Sequence, residues 1–211
     1  MGLEANMRSV ASFAILTVAV LWASACSQPR NATDAANSAV AEKRVAAEKP
    51  FAAGGKIDMQ LDGGGYEVRP ATDNHIRVTL TGNTGNTKVD LTADGTQASL
   101  KVKDTPNNNF RATIEVPTAA DLVIRLSGGE LVMAPISGNK DVEAYGGDLR
   151  IAVGDPNDYS SVDASVKAGE IEAGVFGGSR SGLLQHFTWS GPGKYTLRAN
   201  LGAGNLTLRT K

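Results

Sequence analysis

From Lys56 onward, apolar residues recur at every second position in short runs: Ile57, Met59, Leu61; Ile76, Val78, Leu80; Val89, Leu91; Ala98, Leu100, Val102; and Phe110, Ala112, Ile114, Val116. The alternation continues through Leu122, Ile124, Leu126; Leu149, Ile151, Val153; Val162, Ala164, Val166; Ile171, Ala173, Val175; Tyr195, Leu197, Ala199, Leu201; and Leu206, Leu208. Polar residues such as Arg125, Arg150, Lys167, Glu172 and Arg198 take the places between. Successive side chains of a strand point to opposite faces, so a period of two predicts strands buried on one face. No segment of helical period interrupts them. Residues 56–211 are therefore predicted to form one all-β domain.

The turns repeat as well. A small residue and a Gly precede an acid or amide, an aliphatic, any residue and another apolar one, in Gly128-Gly129-Glu130-Leu131, Gly146-Gly147-Asp148-Leu149, Ala168-Gly169-Glu170-Ile171 and Ala203-Gly204-Asn205-Leu206. Gly129, Gly147, Gly169 and Gly204 are expected as structural turn residues, because Gly alone adopts positive φ without steric cost. They lie 18, 22 and 35 residues apart, and the last gap contains an apparent insertion, residues 177–194. A period near twenty residues with Gly corners predicts a single β-solenoid-like domain, a β-helix or roll in which each coil buries its apolar face on the next. A β-sandwich with glycine-rich hairpins is the competing architecture.

With Val116-Pro117, Asp121-Leu122 and the successive Gly-Asp/Glu-Leu steps, the chain resembles the bacterial putative-adhesin family known as domain of unknown function 4097. The segment from Gly191-Pro192-Gly193 to Leu208 is similar to the closing coil of such proteins. The resemblance implies a β-solenoid-like fold and adhesion, and brings no catalytic residues with it.

The N-terminal region reads differently. Val10 to Trp22 is apolar apart from Ser12 and Thr17, follows Arg8, and ends at Ala23-Ser24-Ala25-Cys26. Thirteen residues are too few to span a bilayer and fit a signal-peptide core. Small residues directly before a Cys resemble the bacterial lipobox, so residues 1–25 are expected to be removed and Cys26 to be lipidated. An ordinary signal peptide cut before an incidental thiol is the alternative. Met7 is a second candidate start; either way the mature chain has 211 − 25 = 186 residues. Residues 26–55 lack alternation and are expected to form a flexible linker, with a few helical turns available to residues 39–49.

Composition narrows the chemistry. Lys plus Arg number 21 against 22 Asp plus Glu, a net charge of -1, which gives no field to attract nucleic acid. One Cys and two His exclude a disulfide framework and leave too few ligands for a zinc site. His75 and His186 are isolated in sequence and expected at exposed strand or turn positions. Glu130, Asp148 and Glu170 recur with the turns and could stack into a carboxylate ladder able to take Ca²⁺, although an acid after Gly is also simply a good turn residue. No metal and no cofactor is expected.

Aromatic residues are only 5% of the chain, yet Phe187, Trp189 and Tyr195 gather near its end. They are expected either to contact a ligand or to cap the open end of the solenoid. The sequence thus predicts a non-enzymatic, lipid-anchored protein of the cell envelope that binds polysaccharide or protein. A carbohydrate-active enzyme on a β-helix, or an envelope sensor or assembly component bound to another membrane protein, are the alternatives.

Overall fold

The computed structural model describes residues 44–211; the expected signal segment, Cys26 and most of the expected linker lie outside them. The described chain is all-β, with thirteen strands and two short 3₁₀ turns, Pro156–Asp158 and Gly174–Phe176. The expected linker does not extend to residue 55: Arg44–Pro50 is strand β1, and Phe51 is buried in the core. The helical turns allowed for residues 39–49 are replaced there by this strand, because β1 finds a ladder partner that an isolated segment lacks.

The framework is a stack of bent strand pairs. β2 (Lys56–Leu61) and β3 (Gly64–Pro70) form the first, and β8 (Asp121–Leu126) and β9 (Gly129–Met133) the second. Three long strands supply the others, each bent in its middle: β10 (Lys140–Ala152), β11 (Tyr159–Ala173) and β13 (Tyr195–Arg209). They pair in parallel and in register, so that Gly64, Gly129, Gly147, Gly204 and Gly169 fall in one column at the bend. All five have positive φ, between +114° and +154°. A Cβ on Gly147 would overlap the carbonyl oxygen of Gly129, and one on Gly169 that of Gly204. The bend thus requires Gly twice over, for its backbone conformation and for the approach of one coil to the next.

Alternate residues of each coil point into the space between the two arms. Leu131, Leu149, Leu206 and Ile171 make one inward row, and Met59, Ile124, Val142, Ala199 and Ala164 another, all essentially buried. At one end each arm is extended first by a parallel strand and then by antiparallel ones. β6 (Gln97–Lys103) and β5 (Lys88–Asp94) follow β2, whereas β7 (Phe110–Val116), β4 (His75–Gly82) and β1 follow β3. β1 lies beside β5, so the sheet nearly closes on itself in a barrel-like form.

The stacking order departs from that of a simple solenoid, in which each coil rests on the one before it in sequence. β13 lies between β10 and β11, pairing in parallel with both. The apparent insertion is in fact β12 (Gly178–Ser190), antiparallel to β11 and at the end of the stack. The reason lies in its side chains: β12 carries Arg180 in the row of Ile171 and Leu206, and Gln185 in the row of Val166 and Leu201, whereas Leu197, Leu201, Leu206 and Leu208 fit β13 for burial on both flanks.

One inward position breaks the apolar rule. Lys140 occupies the row of Ile57, Leu122, Leu197 and Val162 and is 2% exposed. Its Nζ donates to the carbonyl oxygens of Ile136 at 2.6 Å and Gly138 at 3.1 Å, and to Tyr159 Oη at 2.7 Å. Burial pushes this ammonium down to about 8, although Asp121 and Asp158 pull the other way. An unfolded Lys holds its proton to about 10.4, so between these values the unfolded chain binds more protons and stability rises with pH. Relative to Lys140→Met, the wild type is expected to gain on the order of 2 kcal/mol between pH 7 and 10, read by chemical denaturation at each pH. A difference that does not change with pH would show that the ammonium is not penalised by burial.

Candidate functional site

Cys26 lies outside the described residues. The other candidates are placed as follows. Phe187 is buried, Trp189 is half-buried, and both are the last members of inward rows, standing above Ala164 and Val162 respectively. Trp189 lies tilted against Phe176 with ring centroids 4.8 Å apart, while Tyr159 meets Phe176 and Tyr195 edge-on at 6.2 and 6.3 Å. The aromatic residues are thus brought together, but turned inwards. His75 Nδ1 lies 3.4 Å from Asp73, and the exposed His186 Nε2 3.2 Å from Asp163.

The carboxylate ladder forms, with Asn205 in its middle: Glu130, Asp148, Asn205 and Glu170 are neighbours across successive coils. Its charge is already answered. Arg150 pairs with Glu130, Arg111 approaches Glu130 at 3.5 Å, and Asn205 Nδ2 donates to Asp148 Oδ1 at 2.9 Å. A ladder half neutralised by guanidinium and amide groups is a poor cradle for Ca²⁺, which needs six or more oxygens free to coordinate.

The outer surface of the corner offers a different arrangement. Two clefts meet at Asp62 and Ser127, one of about 390 Å³ on the β2 arm and one of about 700 Å³ on the β3 side. The smaller is walled by Gln60, Lys103, Arg125, Glu143 and Tyr145. The larger runs between residues 63–65 and 128–130 of the Gly corner and the loop 105–109, with its three successive Asn residues, together with Phe110 and Arg111 at the start of β7. That loop is anchored, since Thr105 Oγ1 donates to the Gly63 carbonyl at 2.6 Å and the Asp104 amide to Asp62 Oδ2 at 2.9 Å.

Tyr145 dominates the smaller cleft. It sits at the bend of β10, opposite Gly202, and is 83% exposed. Beside it the guanidinium of Arg125 is fixed: Nη1 and Nη2 bind the two oxygens of Asp141 at 3.2 and 3.0 Å, and Nε lies 3.3 Å from Glu143. A bidentate pair of this kind holds the guanidinium plane in one orientation. The result is an exposed aromatic face beside an oriented set of donors and acceptors.

Sequence reasoning passed over Tyr145, Gln60 and Arg125 as a site. One signal was available: Tyr145 directly precedes Gly146-Gly147, at the place where the other repeats have Ser127, Lys167 and Gly202. The contribution of Gln60 and Lys103 could not be read in this way, because they join the cleft only through lateral pairing of β2 with β6 and β8.

No family model matches the chain, and no curated protein matches it. Among solved structures, a putative cell adhesion protein from Clostridium sporogenes ATCC 15579 is similar over 81% of this chain and 100% of that one, at 12% identity and a TM-score of 0.52. A putative adhesin from Bacteroides fragilis NCTC 9343 aligns over 79% of this chain and 97% of its own at 10% identity, with a TM-score of 0.32. One from Parabacteroides distasonis ATCC 8503 aligns over 54% and 58% at 13% identity, with a TM-score of 0.27. Among the described residues no helix is long and apolar enough to cross a membrane. The chain shares the all-β fold of the clostridial protein.

Proposed function

We propose that this protein is a non-enzymatic binding module of the bacterial cell envelope, exported and held at a membrane by lipid on Cys26, with the corner clefts as its contact site for polysaccharide. The observation that carries the proposal is Tyr145: an exposed ring beside the fixed Arg125, Glu143 and Gln60. Aromatic faces stack on the apolar faces of sugar rings, while planar amide, carboxylate and guanidinium groups pair with their hydroxyls. Two clefts that join at Asp62 and Ser127 suit an extended chain better than a compact ligand.

The fold shared with the clostridial protein and the resemblance to the putative-adhesin family both support adhesion. In this reading the stack of coils is a solenoid-type scaffold, Phe187, Trp189 and Tyr195 close its end, and the acids at the turns serve surface pairing. The pairing of Glu130 with Arg150 and of Asp148 with Asn205 supports a non-catalytic role for those carboxyls.

The test is retention on purified envelope polysaccharide. Tyr145→Ala is expected to weaken binding at least about tenfold, the scale of a hot-spot aromatic, whereas Tyr145→Phe keeps most of the affinity. Neither should move the melting temperature, since the ring packs against little. Wild-type retention by Tyr145→Ala would exclude this cleft as the contact site.

A further inference from the structure

β12 ends the stack, and its outer edge has no ladder partner among the described residues. It is 13 residues long, contains no Pro, and carries only Arg180 and His186 as ionisable groups. Unpaired strand edges of this length are templates for further pairing unless blocked by charge, Pro or a cover. Two of its carbonyls accept from its own side chains: Arg180 Nη1 donates to Ser179 O at 2.9 Å and Gln185 Nε2 to Leu183 O at 2.8 Å. At its midpoint Leu183 and Leu184 are 75% and 80% exposed.

The shape of this edge selects its partner. β12 reproduces the bend of the coils beneath it, with Gly182 at φ +123° in the glycine column and Leu184 at φ +53°. A straight peptide could pair with one arm only. A strand that pairs along both arms must bend at the same place, and β12 of a second copy does so. In an antiparallel pairing about the point between the two leucines, Leu183 of each copy faces Leu184 of the other. Arg180, in the row of Ile171, then meets Phe187, in the row of Ala164, so inward positions stay opposite inward positions. Any register shifted by one residue sets inward against outward. The two copies of Arg180 also stand apart rather than opposite each other.

We infer that β12 is a homodimer interface, in which two copies of this chain join edge to edge about a two-fold axis between Leu183 and Leu184. The pairing makes one continuous bent sheet of two stacks and gathers four exposed leucines at its corner. Such an interface lies at the low end of the about 1,200 to 2,000 Å² typical of specific complexes, so the dimer is concentration-dependent. It sets two corner clefts on one particle, which raises avidity for a repetitive ligand.

Sedimentation velocity of the full chain in detergent, over a hundredfold range of concentration, tests the inference. The wild type is expected to shift from monomer to dimer as concentration rises. Leu183→Glu combined with Leu184→Glu places like charges opposite each other and should raise the dissociation constant at least about tenfold. Leu183→Glu combined with Leu184→Lys pairs opposite charges in this register and should restore dimers. Both positions are exposed, and circular dichroism with melting of each variant verifies folding. A wild type that stays monomeric throughout, or a dimer indifferent to the Glu/Glu change, overturns the inference. So does a Glu/Lys variant no better than Glu/Glu, or a monomer whose leucines instead bind lipid vesicles.

Discussion

Gly147→Ala is expected to remove most of the stability of the domain, while Gly146→Ala, one residue earlier, leaves it nearly intact. Gly147 has φ +118°, and a Cβ there would overlap the carbonyl oxygen of Gly129. The conformational strain alone costs about 1 to 3 kcal/mol. Relief of the overlap requires two backbones to separate, and Gly129 is itself packed against Gly64. A total above about 4 kcal/mol follows, at the extreme of single substitutions. At Gly146 the added methyl would meet the Ala203 carbonyl at 3.4 Å, an ordinary contact, and the equivalent positions of two other coils already carry Ala203 and Ala168. Urea denaturation of the two variants decides the matter, and equal losses would show that the close stacking at the bend does not govern stability.

Leu149→Asp should be as damaging by another route. Leu149 is fully buried between Leu131 and Leu206, its neighbours in the coils on either side. Within that row a carboxyl finds no donor, and a buried polar group without a partner costs several kcal/mol even after it takes up a proton. Loss of the apolar contacts adds to this, so a cooperative thermal transition is not expected. Arg150→Gln is the control. Arg150 points outward to Glu130, with both side chains more than a third exposed, and such surface pairs contribute less than about 1 kcal/mol. Similar melting temperatures for the two variants would mean that the inside and outside faces have been interchanged.

The alternation and the corners were legible in the sequence because both are local. Side chains of a strand alternate whatever the strand pairs with, so Leu149 and Ile151 already declared one face and Arg150 the other. Positive φ likewise leaves its mark at single positions, and Gly129, Gly147, Gly169 and Gly204 were readable as corners before their column was known. Two further members, Gly64 and Gly182, were hidden because the first stands in a run of three glycines and the second in a segment without clear alternation.

The neighbour of each coil was not legible. Backbone hydrogen bonds do not distinguish one sequence from another, and the leucines of β13 fit it for burial on both flanks without naming β10 and β11 as the strands that flank it. For the same reason β1 read as linker until its pairing with β4 was seen, and nothing at Lys140 marks it as a member of the inward row it joins beside Leu122. The candidate site is the furthest removed from the sequence: Gln60, Lys103, Arg125 and Tyr145 come from four strands and meet only through lateral stacking. Sequence alone determined the period, the faces and the corners, since these follow from the geometry of one strand. The order of the stack, the clefts at its corner and its open edge at β12 were decided by tertiary structure, through the burial that each coil gains from the coils on either side.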